Sequence, residues 1–182
     1  MKIYTKTGDK GRSTSVDGRR RPKSDMIFAV EGQIDELNSY IGLVLAVGKD
    51  LDAHNRAFLQ NLQHQLFNIG AHFWKAAGSE EITGAMITAL EQEIDRLSDD
   101  LPPLENFILP GGNITSAQIH IARAECRKLE RLMVRFHEQE PVDILCLQYI
   151  NRLSDYFFTL ARYCNNKGQG DILWNKDFQQ PK

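Results

Sequence analysis

The stretch Ile119-His120-Ile121-Ala122-Arg123-Ala124-Glu125-Cys126-Arg127-Lys128-Leu129-Glu130-Arg131-Leu132-Met133 decides the fold. Ile119, Ala122, Cys126, Leu129 and Met133 recur three or four residues apart, the period of a helix that buries one stripe. The same spacing returns upstream. Ile34, Leu37, Ile41 and Val44 mark a first helix that starts after Pro22 and Ser24-Asp25 and ends near Gly48 and Asp50. Leu59, Leu62, Leu66, Ile69 and Phe73 mark a second, with Gly78 as its stop. Met86, Leu90, Ile94 and Leu97 mark a third, ended by Pro102-Pro103, which cannot continue a helix. Downstream, Pro141 opens a last helix with Ile150, Leu153, Phe157, Leu160 and Cys164 in register. No segment alternates convincingly with period two. The expected fold is therefore all-α, a five-helix bundle. Its expected organisation is a single domain over 1–182, with an irregular N-terminal arm (1–23), the bundle (24–166) and a ragged C-terminal tail (167–182).

Composition sets bounds on function. With 182 residues, 42% hydrophobic and 25% charged, the chain has the balance of a soluble globular domain. No apolar run approaches the roughly 20 residues of a membrane span, and the N-terminus lacks the apolar run of a secretory signal. Cys126, Cys146 and Cys164 are odd in number and far apart, which argues against a disulfide framework or a cysteine zinc site and suits a cytoplasmic, reducing home. The histidines offer no His-x-x-x-His ligand pair, so no protein metal site is expected. His120 reads as a packing or capping residue. Trp74 and Trp174 are either core or interface anchors, and the sequence does not choose between them.

Charge is unevenly placed. The net charge is −2, yet residues 1–23 hold eight basic side chains against Asp9 and Asp17. A basic segment on an acidic body suits a small anionic ligand better than a nucleic-acid groove. Within it, Thr5-Lys6-Thr7-Gly8-Asp9-Lys10-Gly11-Arg12-Ser13-Thr14 combines glycines, hydroxyls and cations, which together can surround phosphate oxygens. It is not a Walker loop, because no Gly-Lys-Ser/Thr stands at the required spacing. A plain basic arm remains the alternative.

Two helix faces add polar groups beside the apolar seam. Arg123, Arg127 and Glu130 stand at i, i+4 and i+7, and Arg131 extends the basic rim. Forked guanidinium groups next to a seam can grip a triphosphate, with Glu130 orienting an arginine. A solvated Glu/Arg ladder is the other reading. On the last helix, Asn151, Ser154, Asp155, Phe158 and Arg162 form a mixed stripe that either lines a pocket or pairs with neighbouring helices. Asp35, beside Ile34, is placed to meet an arginine of another helix or subunit.

These blocks, Tyr4 to Lys23, Asp35-Glu36-Leu37-Asn38, Phe107 to Arg131 and Tyr149 to Tyr163, resemble in this order the PduO-type ATP:corrinoid adenosyltransferases. The resemblance implies transfer of the 5′-deoxyadenosyl group of ATP to the cobalt of cob(I)alamin or a related corrinoid, giving adenosylcobalamin and triphosphate. It also implies a homotrimer with ATP between subunits, and Mg²⁺ as a companion of ATP. A flavoprotein reductase and an adenosylcobalamin-dependent enzyme are the implied partners, with no nucleic acid and no membrane. For the nucleotide it implies Thr5, Lys6, Thr7, Gly8, Ser13, Thr14 and Lys23 on the arm. The second nucleotide wall would comprise Arg127, Lys128, Leu129, Glu130, Arg131 and Asn151. Arg123 and Asp35 would bridge subunits, and Phe107 would lie against the lower face of the corrin, with Phe158 also corrinoid-facing. Arg123, Arg127, Asp35 and Phe107 are the expected catalytic group. Two positions depart from the family pattern. Lys128 stands where a second arginine is common, and Glu31 where an aromatic or apolar residue is usual. Phe178 is a candidate lid over the corrin. A non-catalytic ATP- and cobalamin-binding escort of the same fold is the alternative function.

Overall fold

The computed structural model describes residues 2–14, 18–73 and 80–177. Five helices appear in the expected order: α1 (Met26–Val47), α2 (Ala53–Phe73), α3 (Gly84–Ser98), α4 (Ile114–His137) and α5 (Ile144–Cys164). Their starts are capped by side chains that accept otherwise unpaired backbone N–H groups. Asp25 takes the N–H of Ile27, Thr83 that of Met86, Asn113 that of Ser116 and Asp143 that of Leu145. Gly48 closes α1 as expected, its N–H donating to the carbonyl of Val44. The expected stop at Gly78, like Trp74 and Phe178, lies outside the described residues.

The apolar stripes meet in one core. Leu37, Ile41, Leu59, Leu66, Leu129 and Leu153 are fully enclosed, and Cys126, Cys146 and Cys164 are buried among them as free thiols. The third stripe is only half used. Leu90 and Leu97 are buried, but Met86 and Ile94 are partly exposed, because α3 packs chiefly on α5. Around the core, α1 contacts α2 and α4, α4 contacts α5, and α5 contacts α3. Polar side chains close the remaining seam between α2 and α3: Arg96 donates to Asn55 at 2.7 Å, and His54 meets Glu93 at 3.0 Å.

The ends of the chain are more ordered than expected. Strands β1 (Arg12–Thr14) and β2 (Arg20–Pro22) pair antiparallel, with Ser13 opposite Arg21, so part of the arm is a ribbon rather than irregular chain. Strands β3 (Ile108–Leu109) and β4 (Ile172–Leu173) also pair antiparallel, Ile108 opposite Leu173 and Leu109 opposite Ile172. The tail is therefore not ragged through residue 177. Strands of two or three residues are too short to show alternation, so the period-two criterion could not find them.

Candidate functional site

The wall formed by α4 and α5 carries the first group of side chains. The stripe Ile119, Ala122, Cys126, Leu129 and Met133 turns into the core, which fixes the roll of α4 about its axis. Arg123, Arg127 and Glu130 are then held on the flank of that stripe. Arg123 is half-buried, and its guanidinium lies 5.4 Å from the centre of the Phe158 ring, a cation–π contact. Arg127 is exposed. Neither arginine forms an ion pair or hydrogen bond among the described residues, unlike Arg21, Arg96, Arg152 and Arg162, which all have carboxylate partners. Burial lowers the Arg123 pKa, the charge of Arg127 lowers it further, and Asp155 opposes both. Two cations that oppose each other, with Asp155 acting only at a distance and no ion pair among the described residues, make a face suited to an anion.

Glu130 does not orient either arginine, contrary to expectation. It accepts from Asn151 at 2.7 Å, tying α4 to α5. Lys128 is drawn away from the wall by Glu36 at 3.1 Å and Glu125 at 3.2 Å, which raise its pKa. The Leu129 side chain is fully buried, so it belongs to the core and not to the wall. Arg131 is exposed on the same helix. Ser154 and Arg162, expected on a polar stripe, are both buried, and Arg162 is committed to Asp171 at 2.8 Å.

His120 sits below Phe158, ring centres 6.3 Å apart, and is buried with no partner for Nδ1. Burial and the nearby Arg123 lower its pKa, while Asp171 raises it. The packing role expected for it fits, and neutral imidazole is the form that this position favours. Burial pushes the Cys146 and Cys164 thiols up to about 12, and Cys126 is raised as well, so none is poised as a thiolate.

The arm is pinned by its own backbone. The N–H of Lys23 donates to Gly11 O at 2.8 Å, and Arg20 donates to Thr7 O at 3.1 Å. The Thr5 and Thr7 hydroxyls are 2.8 Å apart, and the Lys23 ammonium lies 3.2 Å from where a side chain on Gly8 would begin. Lys6 adopts φ 59°, a turn that bends the arm between Thr5 and Thr7. Ser13 is half-buried, while Thr5, Lys6, Thr7, Thr14 and Lys23 are exposed. The arm thus gathers hydroxyls and cations at one turn, as its sequence suggested.

Phe107 is no core anchor, since 76% of it is exposed at the head of β3. Its ring meets the Trp174 ring edge-on at 6.3 Å. Asp35 is exposed and forms no ion pair among the described residues. It opens onto a cavity of about 470 Å³ between α1 and α2, shared with Phe28, Glu31, Asn38 and the 69%-exposed Phe67. Within one chain Asp35 and Arg123 are therefore not brought together. Among the described residues no group of three His, Cys, Asp or Glu side chains is placed to cage a metal, and no helix is long and apolar enough to cross a membrane. Sequence reasoning named Trp174 as a core or interface anchor and Arg162 on a polar stripe, but did not find the contact of Trp174 with Phe107 or of Arg162 with Asp171. The signal available was the turn Asn165-Asn166-Lys167-Gly168 followed by the β-prone run Ile172-Leu173-Trp174.

Comparison with known proteins adds three findings. A family model described as cobalamin adenosyltransferase matches residues 3–164. A cobalamin adenosyltransferase of Cupriavidus metallidurans is 40% identical over 97% of this chain and 95% of its own, and a corrinoid adenosyltransferase of Bacillus subtilis is 40% identical over 97% and 93%. Among solved structures, a variant PduO-type ATP:corrinoid adenosyltransferase from Lactobacillus reuteri complexed with cobalamin and ATP superposes with a TM-score of 0.86 at 33% identity, covering 96% of this chain and 100% of that one.

Proposed function

The chain belongs to the cobalamin adenosyltransferase family, and from that premise we propose that it transfers the 5′-deoxyadenosyl group of ATP to the cobalt of a reduced corrinoid. The observation that carries the residue assignment is the unpaired arginine face of α4, with Arg123 half-buried against Phe158 and Arg127 free beside it.

The chemistry asks little acid–base work of the protein. Cobalt in the +1 state supplies the electron pair that forms the Co–C bond at C5′ of ATP. The C5′–O bond breaks, triphosphate leaves with its electron pair, and cobalt becomes formally +3. The protein's task is to hold C5′ in line with cobalt and to stabilise negative charge on the leaving group. Arg127, with Arg131 beyond it, forms one side of that anion site, and Glu130 holds Asn151 in place next to it. The arm forms the other side through Thr5, Lys6, Thr7, Gly8, Ser13, Thr14 and Lys23. Lys128, held by two carboxylates, contributes long-range charge only. Mg²⁺ finds no cage of side chains among the described residues, so the triphosphate and water would supply its ligands.

Reducing Co(II) to Co(I) takes one electron, for which a flavoprotein is a suitable donor. An apolar group against the lower corrin face that displaces the axial ligand makes that reduction easier. Phe107, large and exposed, is assigned this role, with Phe158 lining the approach. Asp35 and Arg123, each without an ion-pair partner among the described residues of its own chain, are assigned to one another across the contacts of a homotrimer, which would bring the arm of one subunit to the wall of the next. Three buried free thiols suit a reducing cytoplasm.

The activity test is direct. Protein incubated with ATP, Mg²⁺ and Co(I) cobalamin should form a light-sensitive alkylcobalamin, and absence of that product would overturn the assignment. Phe107→Ala should slow the reaction started from Co(II) with a reductant roughly a hundredfold more than the reaction started from preformed Co(I). Equal losses would remove Phe107 from its role.

A further inference from the structure

Phe107 is the apolar contact on which the proposed reduction step depends, yet the bundle does not hold its side chain. Its ring is 76% exposed, so no enclosed core fixes its rotamer. The loop that carries it is tied down at both ends. At the start, Arg162 Nη2 donates to Pro102 O at 3.0 Å. At the finish, Asn113 N donates to Asn165 Oδ1 at 3.1 Å, and Asn113 Nδ2 to Cys164 O at 2.6 Å. Between those points the loop is braced by the tail.

The brace is specific to Phe107. The N–H of Trp174 donates to Phe107 O at 2.7 Å, and Asn106 Nδ2 donates to Trp174 O at 3.1 Å. The two rings meet at 79° with centres 6.3 Å apart, so the Trp174 ring stands beside the Phe107 ring and limits where it can turn. Because Leu109 pairs with Ile172 and successive side chains alternate, Phe107, Leu109, Ile172 and Trp174 share one face of the ribbon. All four are between 43% and 76% exposed. The opposite face, Ile108 and Leu173, closes a cavity of about 320 Å³ over Pro102 and Arg162.

A two-stranded ribbon is marginal by itself. Among the described residues, Arg162 is the α5 side chain that moors both of its strands. Arg162 bonds Asp171, the residue before β4, at 2.8 Å, and also Pro102, at the head of the loop leading to β3. Both charged side chains are nearly closed to solvent, at 9% and 6%. Asn165 adds a bond to Asp171 at 3.2 Å. A buried pair of this kind fixes geometry more than it adds stability.

We propose that Trp174 is a positioning residue for Phe107, holding its ring ready for the corrin so that the loop need not be ordered at each encounter. This deepens the assignment of Phe107 as the corrin-facing group and rests on it. A group left free on a loop must be ordered every time substrate binds, which weakens the contact it makes.

The test compares rates from Co(II) cobalamin plus reductant with rates from preformed Co(I), using the full chain with ATP and Mg²⁺. Trp174→Ala should lower the Co(II)-to-Co(I) rate ratio roughly tenfold, and Trp174→Phe should restore most of it. Added to Phe107→Ala, Trp174→Ala should lower the ratio no further. An unchanged ratio in Trp174→Ala, or a further fall in the Phe107→Ala background, would overturn the proposal. The two failures are separable. If Phe107→Ala lowers the ratio and Trp174→Ala does not, only the positioning role falls. If Phe107→Ala leaves it unchanged, both assignments fall.

Discussion

The α4–α5 wall and the β3–β4 ribbon present functional side chains in opposite ways. On the wall, Arg123 and Arg127 stand one helical step from fully buried Ala122 and Cys126, so the packed core sets their backbone positions. On the ribbon, Phe107 is mostly exposed, and its position comes from a few hydrogen bonds to Trp174, far along the chain in the tail. The difference suits the work proposed for each. Stabilising a leaving triphosphate needs donors that do not reorganise, and helices packed in a core supply them. An apolar face for a large flat ligand must stay open to solvent until the ligand arrives, so it cannot be held by burial.

The contrast can be broken most forcefully at Arg127. Arg127→Ala should reduce kcat/KM for ATP by roughly 10²–10³-fold, as for loss of a donor to developing charge. Its unfolding midpoint should stay near that of the parent, because Arg127 is exposed and has no ion-pair or hydrogen-bond partner among the described residues. Near-normal kinetics would remove the wall from triphosphate binding.

Stability offers the next comparison. Leu153 is fully buried on α5, and Leu153→Ala should cost about 3 kcal/mol in urea unfolding. Ile172, 52% exposed on the ribbon, should cost under about 0.5 kcal/mol as Ile172→Ala. Similar losses at the two positions would show that the ribbon is as integral to the fold as the wall.

The smallest effect concerns pH, at His120. Its pKa is lowered from the ordinary 6.5, by burial first and then by Arg123, against the opposing charge of Asp171. As pH falls through 6.5, the unfolded chain takes up a proton that the folded chain resists. The unfolded state then binds more protons, so stability is full above 6.5 and declines below it. His120→Gln should flatten that acid-side slope in thermal unfolding, and an unchanged slope would assign it to other groups.

Much of this was legible beforehand because helical signals are local. The stripe from Ile119 to Met133, the Asp25 cap and the Gly48 stop each need only a few neighbouring residues, and all three are present. The arginine face was legible for the same reason, since once the seam is known, spacing determines which side chains share its flank. The partner of Glu130 was not. Helix spacing offered an arginine of α4, whereas inter-helix packing brought Asn151 of α5 to it. Leu129 was placed with the nucleotide by resemblance, and its own apolar spacing already put it in the core.

The sequence alone determined five amphipathic helices, a basic arm and the family order of motifs, because periodicity, capping and motif spacing are short-range properties. Tertiary structure decided which cations remain unpaired among the described residues, that Asp35 lines a cavity between α1 and α2, and that the tail braces Phe107. Those facts depend on pairings such as Phe107 with Trp174 and Arg162 with Pro102. Contacts between residues so distant along the chain leave no periodic trace, and they form only when packing of the bundle brings their backbones together.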